Sequence, residues 1–231
     1  MAASKYYLVS ALPALGDLGA PPPLAPADLR EHVHESRRAL ALVDAILLGD
    51  DLLQRDAFLA REIDTPAPAV LNPAQVRNEE PLPPHLATEE DPAAAAHIAS
   101  DAVWAAYFRH AAQVAAHQAS PFLKAWVAYE VALRNALAAA RARALGLEPA
   151  DYVVPPDLGS PEEEFGPLLA EWAAGATPLD GLKVLDRARW QWLTDHEAWF
   201  SFADDEIAAY AAKLMLLVRW QRLAAGAPRN I

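Results

Sequence analysis

Apolar residues return at helical spacing in several long stretches of this chain, and proline-rich breaks separate those stretches. The clearest is "PFLKAWVAYEVALRNALAAARARALG", where Phe122, Trp126, Tyr129, Leu133 and Leu137 follow at steps of four, three, four and four. Such steps hold every side chain on one face of a helix. Ser120 and Pro121 supply an N-cap and a first-turn proline, and Gly146 is placed to close the helix, with Arg141 and Arg143 near its carbonyl end. Upstream, "AAAAHIASDAVWAAYFRHAAQVAAHQ" carries Ile98, Val103 or Trp104, Tyr107, Phe108, Ala111 and Val114 in the same rhythm. Closer to the start, Asp28 reads as the N-cap of a helix with Leu29, Val33, Leu40, Val43 and Leu47 on its apolar side, ending near Gly49. A second short amphipathic piece, "DDLLQRDAFLAREI", follows it. Toward the other end, Leu182, Leu185, Trp192, His196 and Trp199 trace a seam, and Ile207, Ala211, Leu214 and Val218 form the stripe of a helix begun by Ser201 and Asp204 and stopped by Gly226 and Pro228.

The breaks organise the rest. Pro21, Pro22, Pro23 and Pro26 interrupt the early chain, because proline lacks the N–H that a helix interior needs. "DTPAPAVLNPAQVRNEEPLPPHLATEEDP" spreads seven prolines among acids and reads as a solvated, irregular connector with at most one helical turn. "LEPADYVVPPDLGSPEEEFGP" is a second irregular bridge. Three regions result: an N-terminal helical region at 1–63, a proline-rich acidic connector at 64–92 and a main helical domain at 93–231. The expected fold is all-α, an antiparallel array of long helices with proline-rich connectors.

The run Tyr6 to Leu15 in "KYYLVSALPALG" has the length of a secretory h-region, but Pro13 interrupts it and no small-x-small cleavage site precedes the proline cluster. It is also far short of the roughly 20 apolar residues that span a bilayer. The expectation is that it packs into the protein, with Tyr6, Tyr7, Leu8, Val9 and Leu12 as buried anchors.

Composition sharpens this picture. Hydrophobic residues make up 54%, much of them alanine, which favours helix and close helix–helix approach. There is no cysteine, so no disulfide framework. The net charge of −12 repels phosphate backbones and excludes nucleic acid as an expected partner; it also opposes contact with anionic lipid.

Candidate chemistry is sparse. His32 and His34 with Glu35 contain ligand types, but residues two apart on a helix point about 200° from each other. Asp195, His196 and Glu197 are adjacent and cannot converge on one reacting atom. The sequence contains no glycine-rich phosphate loop, G-x-S-x-G or H-E-x-x-H, and no catalytic residue, cofactor or metal site is expected. Glu130, Arg134 and Arg141 form a charged strip opposite the Phe122/Trp126/Leu133 stripe, either a solvated face or a docking surface, since arginine and tryptophan are favoured in interface cores. Trp190, Trp192, Trp199 and Trp220 pose the same choice between core and partner contact.

Three segments, "KYYLVSALPAL", "WVAYEVALRNALAAARARALGL" and "LDRARWQWLTDHEAWFSFADDEIAAYAAKLMLLVRWQRL", together resemble DUF2764, a bacterial family associated with V-type ATPases that stands in the place of the rotor's C (or d) subunit. The positions carrying the resemblance are Tyr6, Tyr7 and Leu8; Trp126, Arg134, Asn135 and Arg143; and Arg189, Trp190, Phe202, Tyr210, Lys213, Leu214, Arg219 and Trp220. "YEVALRNALAAARA" is also similar to a helix of the archaeal-type C subunit, with Ala136 where leucine follows the asparagine. The resemblance implies a noncatalytic, cofactor-free subunit of a V/A-type ATPase (ATP synthase), cytoplasmic and peripheral at the inner face of the cell membrane. Its partners would be the central stalk and the membrane proteolipid ring, between which it would transmit torque during proton or sodium transport without itself inserting into the membrane. Tyr6 to Leu12 would be a strand or short helix tying the N-terminal stretch to the body. The residues expected to meet partners are Arg134, Arg141, Arg143, Arg189, Trp190, Arg219 and Trp220. Two other readings stay open: a free-standing helical adaptor binding a protein or small apolar ligand in a groove, and a hydrolase whose acidic pairs converge only in three dimensions.

Overall fold

A computed structural model describes residues 5–87, 99–160, 163–197 and 203–226. All regular structure among them is helical: α1 (Lys5–Ser10), α2 (Pro26–Val33), α3 (Arg37–Leu59), α4 (Pro73–Val76), α5 (Ala99–His117), α6 (Pro121–Leu145), α7 (Gly166–Ala173), α8 (Pro178–His196) and α9 (Asp204–Gly226), with 3₁₀ turns at Pro149–Tyr152 and Pro156–Leu158. Among the described residues no helix is long and apolar enough to cross a membrane.

Helix α6 forms as its sequence predicts. Ser120 Oγ accepts from the Leu123 N–H at 3.0 Å, Pro121 occupies the first turn, and Gly146 takes the left-handed φ of 70° that ends the helix. Phe122, Trp126, Tyr129, Leu133 and Leu137 are all buried. Trp126 and Tyr129 meet Trp192 of α8 with ring centroids 5.4 and 5.0 Å apart, so the stripe is a core seam. Asp205 joins the starts of α6 and α9, accepting from Ser120 Oγ at 2.6 Å and from the Phe122 N–H at 3.2 Å.

Helix α3 departs from expectation. It does not end at Gly49 but runs ten residues further, so "DDLLQRDAFL" is its second half. The glycine is there for a neighbour: a Cβ at Gly49 would lie 2.7 Å from Tyr107 Oη of α5, which donates to the Ala45 carbonyl at 3.1 Å. The break falls earlier, where Ser36 caps α3. Asp28 is not the cap of α2; it sits in the first turn and accepts from the Ala25 N–H at 3.2 Å. The apolar side of α3, including Leu42, Ile46 and Leu52, packs mainly against α9 and α5 in one continuous core. Alanines Ala208, Ala211 and Ala212 of α9 are fully buried or nearly so and permit close approach. Arg222 of α9 reaches both oxygens of Asp50 at 2.6 Å.

The reading of 64–87 as a solvated connector is corrected. The segment is irregular, with α4 its single helical turn, but it is docked. Asp51, 1% exposed, accepts from the N–H groups of Ala69, Val70 and Leu71 at 2.8, 2.7 and 2.8 Å. Gln54 exchanges hydrogen bonds with Ala67, and Arg30 donates to the Ala69 carbonyl while pairing with Asp44, both at 2.6 Å. Leu71, Val76 and Leu86 are buried. A segment without ladder partners thus finds its backbone acceptors and donors on side chains of α2 and α3.

The opening run forms the short helix α1, and only Leu8 is buried in it. Tyr6 and Tyr7 are each 62% exposed, and Val9 and Leu12 are half-buried. A six-residue helix lying on α9 has one face to bury, and Leu8 occupies it. The chain after it is strapped to α9: Tyr210 Oη donates to the Pro13 carbonyl and Gln221 Nε2 to that of Gly19, both at 2.9 Å. Trp220 covers Gly19, whose φ of 101° suits glycine alone. Ile98, Trp199, Ser201, Phe202 and Pro228 lie outside the described residues.

Candidate partner-binding surface and its charged support

Asp186 and Arg189, three apart on α8, share a face. Between buried Val184 and Leu185 and the side of α6, that face is enclosed, so its charges require partners. Arg189 grips Glu130 of α6 with both prongs, Nε–Oε1 at 2.7 Å and Nη2–Oε2 at 3.1 Å. Asp186 Oδ1 then receives Arg189 Nη1 and Arg219 Nη2 of α9, each at 3.3 Å. The four side chains bridge α6, α8 and α9 with balanced charge and are 3–19% exposed. Burial works against the Arg189 charge, but Glu130 and Asp186 outweigh it and hold the guanidinium protonated above its usual range. Burial, followed by the Glu130 charge, raises the Tyr129 hydroxyl in the same pocket.

The other predicted residues divide by position. Arg134 does not pair with Glu130 one turn before it; it reaches Asp101 of α5 at 3.1 Å and lies 4.5 Å from the Trp104 ring centre. Burial depresses its pKa, and Asp101 opposes that shift. Trp190 is half-buried, with Lys213 Nζ 5.2 Å from its ring centre, and Lys213 pairs with Glu197 at 2.5 Å. Trp220 is half-buried over Gly19. Arg141 and Arg143 are exposed near the end of α6; Arg141 lies 5.2 Å from the ring centre of Trp172 on α7. The structure therefore brings Arg189 and Arg219 together at Asp186 and leaves Arg141 about 16 Å further along α6 than Glu130, at 1.5 Å per residue.

Sequence reasoning missed Asp186 and Trp172. The acid three residues before Arg189 in "LDRAR" was the available signal, an i, i+3 charge pair beside an apolar seam. The histidine motifs do not converge. His32 Nε2 donates to the Leu8 carbonyl at 2.8 Å, and His196 stacks on Trp192 at 4.0 Å while Asp195 accepts from Gln191. Among the described residues no three His, Asp or Glu side chains are grouped to hold a metal ion.

A groove of about 770 Å³ lies elsewhere, where Arg55, Asp56 and Leu59 of α3 face Ser100 and Val103 of α5 and residues 78–87. No family model, no curated protein and no solved structure matches this chain.

Proposed function

We propose that the protein is a noncatalytic coupling subunit of a bacterial V/A-type ATPase, seated at the inner face of the cell membrane between the central stalk and the proteolipid ring. The observation that favours this reading most is the Glu130–Arg189–Asp186–Arg219 brace across α6, α8 and α9. A part that passes torque between two partners needs helices that do not slide on one another, and directional ionic contacts inside an enclosed interface resist sliding. The brace also falls within two of the three segments that resemble the V-type ATPase-associated family.

In this reading the seven residues divide their work. Arg141, Arg143, Trp190 and Trp220 reach the surface and meet partners, while Arg134, Arg189 and Arg219 act behind it by fixing the helices that present them. The partners are the stalk and ring subunits, with neither nucleic acid nor membrane insertion.

The test is affinity purification of the tagged protein from gently solubilised host membranes, with mass spectrometry of what accompanies it. Near-stoichiometric recovery of V-type catalytic, stalk and proteolipid subunits is expected. Recovery of the protein alone, from cells whose ATPase is intact, overturns the proposal.

A further inference from the structure

The strap formed by α1 and the chain after it lies on the body like a bound peptide. From Tyr6 to Asp28 only Leu8 is buried, while Leu12, Leu15 and Leu18 lie half-buried against the core. His32 of α2 donates to the Leu8 carbonyl at 2.8 Å, Tyr210 of α9 to that of Pro13 at 2.9 Å, and Gln221 to that of Gly19 at 2.9 Å. Each of these bonds runs from a side chain of the body to a backbone oxygen of the strap. Every residue has a carbonyl, so this row recognises the path of a chain and not the side chains along it. The spaced leucines add apolar contact beside it.

Main-chain hydrogen bonds for affinity, with contacts for spaced side chains giving specificity, is the division of labour where proteins bind peptides. Here the occupant is tethered, and a single buried side chain anchors it. The strap also covers Trp220: at Gly19, where φ is 101°, a Cβ would lie 3.3 Å from the indole Nε1. Glycine lets the strap close onto that ring. While the strap is seated, the indole edge beneath Gly19 is out of a partner's reach.

We propose that the face carrying His32, Tyr210, Trp220 and Gln221 is a peptide-binding surface which residues 8–19 occupy in cis, and that a segment of another protein with leucines three to four residues apart displaces them. The surface stands independently of the coupling role. The probe is a fluorophore-labelled synthetic peptide of residues 6–24, titrated into the full chain and read by anisotropy. The tethered strap competes at an effective concentration of about millimolar, so the wild type should bind weakly. Leu8→Glu removes the buried anchor and Gly19→Val forbids the left-handed turn, so each should empty the surface and tighten probe binding at least about tenfold. A purely structural role for either residue would weaken binding or leave it unchanged. In the Leu8→Glu chain, adding Tyr210→Phe should cost about fivefold, the worth of one hydrogen bond. A probe carrying Leu12→Ser, Leu15→Ser and Leu18→Ser should bind at least about tenfold weaker. No tightening in either variant, equal binding of the serine-bearing probe, or wild-type-like probe affinity after Tyr210→Phe overturns the proposal. So does loss of the folded body in both variants, which would make the strap part of the core. A wild-type dimer that forms unaided and excludes the probe gives the surface to a second copy and overturns it as well.

Discussion

Two buried carboxylates solve the same problem in different ways. Asp186 answers side chains, two arginines from two helices, whereas Asp51 answers backbone, three consecutive N–H groups of a proline-rich segment. The side-chain network can be rewritten, because each of its charges is itself a substitutable residue. The backbone tie cannot, because the N–H groups of Ala69, Val70 and Leu71 remain whatever residue faces them. One arrangement fixes helices against helices; the other turns a stretch with a single helical turn into part of the packed body.

The largest effect should come from the tie. Asp51→Leu strands three donors, that of Leu71 buried and those of Ala69 and Val70 half-buried; at roughly 1–3 kcal/mol for a buried donor and less where water can reach, the loss should be about 4 kcal/mol in urea unfolding. Limited proteolysis should show new cuts within 64–87; a loss under about 1 kcal/mol would show that water replaces the carboxylate. Asp186→Leu should cost about 3–4 kcal/mol by leaving Arg189 and Arg219 short of a partner. Replacing all four members, Glu130→Met, Asp186→Leu, Arg189→Met and Arg219→Met, should return to within about 1 kcal/mol of wild type, since an apolar core can stand in for an ionic one, and this one leaves Asp186 Oδ2 and Arg219 Nε without hydrogen-bond partners. If the fourfold variant is as weak as the single one, the contrast with Asp51 fails.

Gly49→Ala comes next. In an ordinary helix interior this change stabilises, but here the new methyl meets Tyr107 Oη, and a loss of about 1–2 kcal/mol is expected. Tyr107→Phe should recover most of it in a double-mutant cycle.

The smallest effect is on pH dependence. His85 and His110 stack with centroids 4.0 Å apart, and burial lowers both pKa values, with each other's proximity adding to the effect at His110. The unfolded chain then takes up protons near 6.5 before the folded one, so stability falls as pH drops through 6.5. Burial pushes Asp51 up to about 6, against the three N–H groups that lower it. For that acid the folded state protonates first, so stability rises as pH falls from about 6 toward 4. Urea midpoints against pH should lose the first slope in His110→Asn and the second in Asp51→Asn. Curves parallel to wild type would remove both assignments.

Helix α6 was legible because its start, stripe and stop all lie within 27 consecutive residues, from Ser120 to Gly146. Gly49 misled because its reason, the Tyr107 hydroxyl, lies 58 positions away. The connector was read from its prolines, which say correctly that it forms no long helix; nothing local reveals that Asp51, 18–20 residues earlier, collects its N–H groups. Arg189 and Arg219 read as partner contacts for the same reason, since only the crossing of α6, α8 and α9 aims them at Glu130 and Asp186. Tyr6 and Tyr7 show the reverse error: an apolar run suggests burial, but a helix of six residues has too little inner face for all of it.

The packing of α3 on α9 sets a clock on the protein's birth. Leu42 and Ile46 leave the ribosome about 160 residues before the helix that shelters them. At roughly 5–20 residues per second that is about 10–30 s during which the face stays uncovered or borrows another apolar surface. Slower synthesis of the stretch before residue 204 lengthens that exposure, and with it the time in which the face can meet another chain.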